Sequence, residues 1–289
     1  MALVKWMLKR QGQIMAPDFD VQALRESTQD LSRFLPAGKG VSYTTEDLAG
    51  HEAELATPEN PHQDAIIVHI HGGGFVSGSA KSSRPFTSYL AKQANRHVYS
   101  LDYRLAPEHP YPAAAHDCFM QYRALAEKYP NKKIALIGES AGAMLAIVVT
   151  LMARDQGRKI PACVVANAPG ADLTLEVERP DMNDTDLVLS YQAIKRIGEL
   201  YCPEDAHNPS ASPRFADYHD FPPLRIVWDA GEHLSYDCRI LAEKAQEAGV
   251  EVETTVYQDA FHAFQILGKF LPEARKDIQQ SVTFIEKHI

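Results

Sequence analysis

Gly138-Glu139-Ser140-Ala141-Gly142 places a serine midway between two glycines, each two residues away. The apolar run Ile134–Ile137 precedes it and the apolar stretch Met144–Leu151 follows, so the serine falls on a strand-to-helix turn. A serine displayed on so sharp a turn has strained backbone angles, and the adjoining strand and helix approach closely. Glycines at the flanking positions remove the side chains that would collide there. The helix start also brings backbone N–H groups beside the hydroxyl. That is the setting of a nucleophile, and Ser140 is the candidate. A second glycine run, His71-Gly72-Gly73-Gly74-Phe75, follows the apolar run Ala65–Ile70. Upstream of a Gly-x-Ser-x-Gly, it suits an oxyanion hole, because residues without Cβ let backbone donors approach a developing negative oxygen to about 2.7–3.1 Å. The N–H of Ala141, the residue after the serine, supplies the remaining donor.

The elements that must position these groups are legible as an alternation. Short runs rich in Val and Ile lie at Ala65–Ile70, His97–Leu101, Ile134–Ile137, Ala162–Ala166, Leu224–Trp228 and Glu251–Tyr257. Between and after them come helical stretches at Pro85–Ala94, Ala113–Tyr129, Ala141–Asp155, Tyr236–Ala248 and Glu273–Lys287. Near-continuous apolar strands alternating with helices specify an α/β fold with a mostly parallel sheet covered on both faces. Val41–Glu46 and His51–Thr57 read as a leading antiparallel hairpin. Two regions depart from the rhythm. Residues 1–36 read as two helices, near Leu3–Gln13 and Val21–Phe34, and residues 173–223 carry one helix, Leu189–Tyr201, and no strand. An excursion of that length is too long for a plain connection. Both are expected to form a helical cap over the carboxyl ends of the strands, where open α/β sheets bind ligands. The catalytic core is then 37–172 with 224–289, in one structural unit.

A chain of 289 residues with 45% hydrophobic residues can bury one large core. Its net charge of −9 argues against nucleic acid and anionic membrane surfaces as partners. Cys118, Cys163, Cys202 and Cys238 include no CxxC spacing, so neither a structural metal site nor a disulfide framework is expected. The apolar stretch at Ala2–Leu8 is interrupted by Lys5, too short and polar for a signal peptide or membrane span, and a cytoplasmic location is expected.

HGGGF, then DYRLAPEHPYPAA at Asp102–Ala114, then GESAG: the order and spacing of these blocks resemble the hormone-sensitive-lipase-like family of α/β-hydrolase carboxylesterases. The resemblance spans roughly Asp64 to Ile289. It implies an esterase or lipase fold with a helical cap, no cofactor and no metal, a small-molecule ester as partner, and a preference for short acyl chains. It implies Ser140 as nucleophile, with Gly73, Gly74 and Ala141 as the oxyanion hole and Gly72 as an alternative donor. Tyr103, Arg104, Pro107 and Glu108 fall in a block taken as structural. Two departures lie beside the serine, Glu139 where Asp is common and Ala143 in place of a frequent glycine. A third, Pro169-Gly170-Ala171-Asp172, lacks the tryptophan often found there and bears on the acyl pocket.

In this fold the chain order is serine, acid, histidine, with the histidine on a loop after the final strand. Among 12 histidines, position favours His262, just after the last expected strand; His207, His219 and His233 come earlier. The acid belongs on the loop after Leu224–Trp228, which reads Asp229-Ala230-Gly231-Glu232-His233-Leu234-Ser235-Tyr236-Asp237. Aligning the family's Asp-Pro-Leu on Leu234 makes Glu232 the acid, with Asp229 ending the strand and Asp237 in the first helical turn. Either carboxylate can hold the imidazole tautomer and stabilise the imidazolium. The leading function is a carboxylesterase. An amide-cleaving hydrolase on the same triad and a non-catalytic binding protein remain open. The strand Glu251–Tyr257, expected at a sheet edge, could pair two copies in a homodimer.

Overall fold

The apolar runs become strands of one sheet, and alternate residues along each run divide between its two faces. A computed structural model describes residues 1, 5, 15, 16, 18–34, 37–177, 179 and 181–289. The strands are β1 (Val41–Leu48), β2 (His51–Pro58), β3 (His62–Ile70), β4 (Arg96–Leu101), β5 (Lys133–Glu139), β6 (Cys163–Asn167), β7 (Leu224–Asp229) and β8 (Val252–Tyr257). They form an eight-stranded sheet in the order β1-β2-β4-β3-β5-β6-β7-β8. The β1–β2 and β2–β4 pairs are antiparallel and all the others parallel. This is the α/β-hydrolase architecture, with the expected leading hairpin and β8 at an edge.

The helices are α1 (Val21–Phe34), α2 (Arg84–Ala94), α3 (Ala113–Lys128), α4 (Ala141–Asp155), α5 (Tyr191–Tyr201), α6 (Ser235–Glu247) and α7 (Pro272–His288). Ile66, Val68 and Ile70 of β3 join Leu136, Val164 and Ile226 in a core shared with α3, α4 and α6. Ile67, Ala135, Ile137 and Val165 point the other way, onto Phe86 and Leu90 of α2 and Ile278 and Val282 of α7. Period-two alternation of apolar side chains on both faces is why the runs read as continuous. β3 begins at His62, earlier than its apolar run, because residues 62–64 are exposed and carry no hydrophobic signal.

The expected helix at Leu3–Gln13 lies outside the described residues. α1 is entered through Asp20, whose carboxylate accepts the N–H of Ala23, a side-chain cap on an orphan helix donor. Arg25 of α1 donates to the carbonyls of Val76 and Ala106 and pairs with Glu108 at 2.7 Å. Between β6 and β7 the chain carries α5 and a short 3₁₀ turn, Pro213–Phe215. Met15 and Leu189 form a parallel bridge, so the segment before α1 meets the one before α5. No helix among the described residues is long and apolar enough to cross a membrane.

Candidate active site

Ser140 lies between β5 and α4 with φ 54° and ψ −124°, a conformation that costs a non-glycine residue on the order of 1–3 kcal/mol. Its N–H donates to the Asn167 carbonyl at 2.8 Å, tying the turn to β6. The flanking glycines are there for space. A Cβ on Gly142 would lie 2.1 Å from the Ile70 carbonyl oxygen, and one on Gly138 would lie 2.4 Å from that of Gly142. Gly142→Ala is therefore expected to cost about 3 kcal/mol or more, at the upper end of overpacking penalties, and to appear as a large fall in Tm or loss of soluble protein. A variant with parental Tm would contradict this account of the turn.

The loop after β8 brings His262 to the serine. His262 Nε2 is 2.9 Å from Ser140 Oγ, and its Nδ1 is 3.0 Å from Glu232 Oε2. With the ring proton on Nδ1, the imidazole donates to Glu232 and accepts from the Ser140 hydroxyl. Both partners are buried, Glu232 at 1% and His262 at 5% exposure. Burial pushes the Glu232 carboxyl upward, only partly offset by His262. Burial presses His262 down, but the charge and hydrogen bond of Glu232, with the charges of Asp186 and Glu139, together outweigh it, and its pKa is raised above 6.5. Such a chain can take a proton from the serine and stabilise the resulting imidazolium.

The His71–Phe75 loop curls over the serine. Gly73 and Gly74 have φ of 111° and 61°, and their amides, like that of Ala141, have no acceptor among the described residues. Gly72 differs: its N–H donates to Glu139 Oε1 at 3.0 Å, so it is not free to serve as the alternative oxyanion donor. His71 stacks on Tyr103 at a centroid distance of 4.2 Å, and burial pulls its pKa down to about 4. The neutral ring's Nδ1 lies 2.8 Å from the Gly72 carbonyl, and the Tyr103 hydroxyl donates to the His71 carbonyl. The neighbouring Arg104 pairs with the buried Asp117 at 2.7 Å. The Asp102–Ala114 block thus braces the glycine loop from behind.

Several supporting residues escaped the sequence reading. Asp229 accepts from Gly231 N and from Ala260 N, so one carboxylate ties the Glu232 loop to the His262 loop. Asp186 accepts from the N–H of His233, and Thr185 donates to the Gly231 carbonyl, fastening the excursion to the same loop. Asp237 does sit in the first turn of α6, but it is buried, pairs with Arg179 at 2.8 Å and accepts from the amides of Ala171 and Asp172. Burial pushes its pKa up to about 6. Each contact joins segments distant in sequence, and an isolated aspartate carries no local signal of such a partner; only the turn-forming run Asn183-Asp184-Thr185-Asp186 hinted at a capping role.

Beside Ser140 opens an apolar cleft lined by Met15, Met144, Leu173, Leu189, Ile194 and Ile197, among others. Ile194 and Ile197 lie on the buried face of α5, whose N-cap Ser190 accepts from Ala193 N. Met15, before α1, was not foreseen as part of this wall. The cleft's interior is about 50 Å³, room for on the order of four water-sized groups. Gly170 stands where the tryptophan was missing, and a Cβ there would lie 3.5 Å from the Met144 sulfur. Methionine therefore fills that part of the pocket. Cys118, Cys163, Cys202 and Cys238 are free and buried.

The sequence profile of the α/β hydrolase fold matches residues 67–266. An esterase of Acinetobacter venetianus is 32% identical over 98% of this chain and 93% of its own length. An acetyl-hydrolase of Streptomyces hygroscopicus is 34% identical over 76% of this chain and 74% of its own. A crystal structure of a hormone-sensitive lipase from a metagenome library superposes with a TM-score of 0.88 at 35% identity, covering 94% of this chain and 92% of that one. With the profile spanning most of the chain and one relative matched nearly end to end, the chain belongs to the α/β-hydrolase fold family and, within it, to the hormone-sensitive-lipase-like carboxylic ester hydrolases.

Proposed function

We propose that this protein hydrolyses short-acyl carboxylic esters through an acyl-enzyme on Ser140. The observation that carries the reading is His262, within hydrogen-bond distance of both Glu232 and the Oγ of Ser140, which itself lines an apolar cleft. In the first half-reaction Ser140 Oγ bonds to the ester carbonyl carbon as its proton passes to His262 Nε2. The carbonyl oxygen becomes an oxyanion held by the N–H groups of Gly73, Gly74 and Ala141. The C–O bond to the alcohol then breaks, and the leaving oxygen takes the proton from His262. In the second half-reaction His262 removes a proton from water as the water oxygen bonds to the acyl carbon; the bond from that carbon to Ser140 Oγ then breaks, the carboxylic acid leaves, and His262 returns the proton to Oγ. Glu232 holds the imidazole in the required tautomer throughout. Residues 1–36 and 173–223 are proposed as the cap; among their described residues Met15, Leu173, Leu189, Ile194 and Ile197 line the cleft.

Three things support the short-acyl part: the small cleft, the apolar wall that Ile194 and Ile197 give it, and the acetyl-hydrolase name of one relative. Across p-nitrophenyl esters, kcat/KM is expected to peak at four carbons or fewer in the acyl chain and to fall by about tenfold or more by ten carbons, since a chain that overfills the cleft must displace its packed walls at a cost of about 1–3 kcal/mol. Faster hydrolysis of long-chain triglyceride emulsions than of soluble butyrate esters would overturn the substrate class. Matched ester and anilide substrates separate esterase from amidase: turnover is expected for the ester, and a faster anilide would reverse the assignment.

A further inference from the structure

Ser100, His69 and Glu139 form a buried polar row across the sheet that no step above uses. Ser100 of β4 is the register partner of His69 on β3, and Glu139 ends the neighbouring strand β5. The three side chains face the α2 and α7 side, amid the apolar residues Ile67, Val98 and Ile137. His69 Nδ1 is 2.8 Å from Ser100 Oγ, its Nε2 is 2.8 Å from Glu139 Oε2, and Glu139 Oε1 accepts the Gly72 N–H at 3.0 Å. His69 is 0% and Ser100 1% exposed. An apolar sheet face does not carry a carboxylate and an imidazole without cost, so every polar group in the row must be paired.

Its far end lies at the chemistry. Glu139 is covalently next to Ser140, and Gly72 precedes the two glycines assigned to the oxyanion hole. One carboxylate therefore grips both sides of the space in which the oxyanion forms. Contact there is already close, since a Cβ on Gly72 would lie 2.7 Å from the Glu139 carbonyl oxygen. His71 and Phe75 anchor the two ends of the loop by stacking on Tyr103 and Tyr201, but Gly72, Gly73 and Gly74 between them have no side chains to pack, and small displacements of a donor from the oxyanion are costly in rate.

We infer that Glu139 is a positioning residue that sets the oxyanion loop through Gly72, and that His69, anchored by Ser100, in turn fixes the Glu139 carboxylate. The inference rests on the reading of Ser140 as nucleophile. Glu139 touches no reacting atom; it acts on where Gly73 and Gly74 stand.

The test uses Glu139→Ala, Glu139→Gln, His69→Phe and the His69→Phe/Glu139→Ala double variant, with short-acyl p-nitrophenyl esters as substrate. Glu139→Ala is expected to lower kcat by about 10–100-fold, a fraction of the loss from deleting an oxyanion donor outright, with KM changed by less than about threefold. A trifluoromethyl ketone, which forms the tetrahedral oxyanion on the serine, should bind more weakly by a similar factor. Glu139→Gln is expected to recover to within about threefold of the parent, because its amide oxygen still accepts from Gly72. The amide NH₂ can then donate to His69 as the ring proton moves to face Ser100. His69→Phe should lose about 3–10-fold, and the double variant should be no worse than Glu139→Ala, as for residues acting in series. Glu54→Gln, which weakens a partly buried ion pair with Arg84 elsewhere, serves as a control for lost stability and should keep its kcat. Where Glu139→Ala does not accumulate as folded protein, His69→Phe carries the test on kcat and ketone affinity. Parental kcat in Glu139→Ala, no rescue by Gln, or losses that multiply in the double variant would each overturn the inference. If Ser140→Ala keeps turnover, the nucleophile reading itself falls; if Ser140→Ala is inactive while Glu139→Ala is fully active, only this inference falls.

Discussion

Ser140→Ala is expected to lower kcat for p-nitrophenyl acetate by about 10⁵–10⁶-fold, the loss seen when a triad nucleophile is removed. The reason is that alanine deletes the only atom that bonds to the acyl carbon, while leaving the amides of Gly73, Gly74 and Ala141 in place. Those donors and the cleft should sustain a residual rate about 10³-fold over water. Alanine keeps the Cβ and so keeps the strain of a φ of 54°, and Tm should stay within a few degrees of the parent. A Ser140→Ala protein with the parental Tm and more than about 1% of parental kcat would remove the serine from the mechanism.

Glu232→Gln is expected to lower kcat by about 10³–10⁴-fold, by analogy with removing a triad carboxylate. Glutamine carries no charge to stabilise the imidazolium, and its NH₂ can donate to Nδ1 and so favour the wrong tautomer. The pH profile should move with a definite sign. Turnover needs neutral His262, whose pKa is raised above 6.5 because burial, which lowers it, is outweighed by the Glu232 charge and hydrogen bond together with the charges of Asp186 and Glu139. In the parent enzyme kcat/KM should therefore fall as pH drops through a pKa above 6.5. In Glu232→Gln the burial remains and the charge is gone, so the acid limb of the residual activity should shift to lower pH. Asp229→Asn retains one acceptor for Gly231 or Ala260 and should lose about tenfold in kcat. Asp237→Asn leaves Arg179 buried beside a neutral partner and should appear mainly as lost stability, about 3–5 kcal/mol. Abolished turnover in Asp229→Asn alongside near-parental Glu232→Gln would reassign the acid.

Strand runs and the serine turn were legible because their causes are local. Val and Ile alternate onto two buried faces, and Gly138 answers to the carbonyl of Gly142, four residues on and 2.4 Å from an added Cβ. His262 and Glu232 were reached from chain order and loop position, and the fold brings both to Ser140. What stayed hidden are contacts whose partners lie far away in sequence. Nothing near Asp237 signals Arg179, and nothing near Glu139 signals Gly72, 67 residues earlier. That single bond decides that Gly72 is not a free oxyanion donor. Met15 lines the cleft only because its backbone pairs with the segment around Leu189, a pairing with no hydrophobic period to reveal it.

Covalent labelling tests the central claim most directly. An organophosphonate ester bearing a p-nitrophenyl leaving group should inactivate the enzyme with one equivalent of p-nitrophenol released, and peptide mass spectrometry should find the phosphonyl mass on the fragment containing Ser140 alone. Stoichiometric labelling at another residue, with Ser140 unmodified and ester turnover lost, would contradict an acyl-enzyme on Ser140.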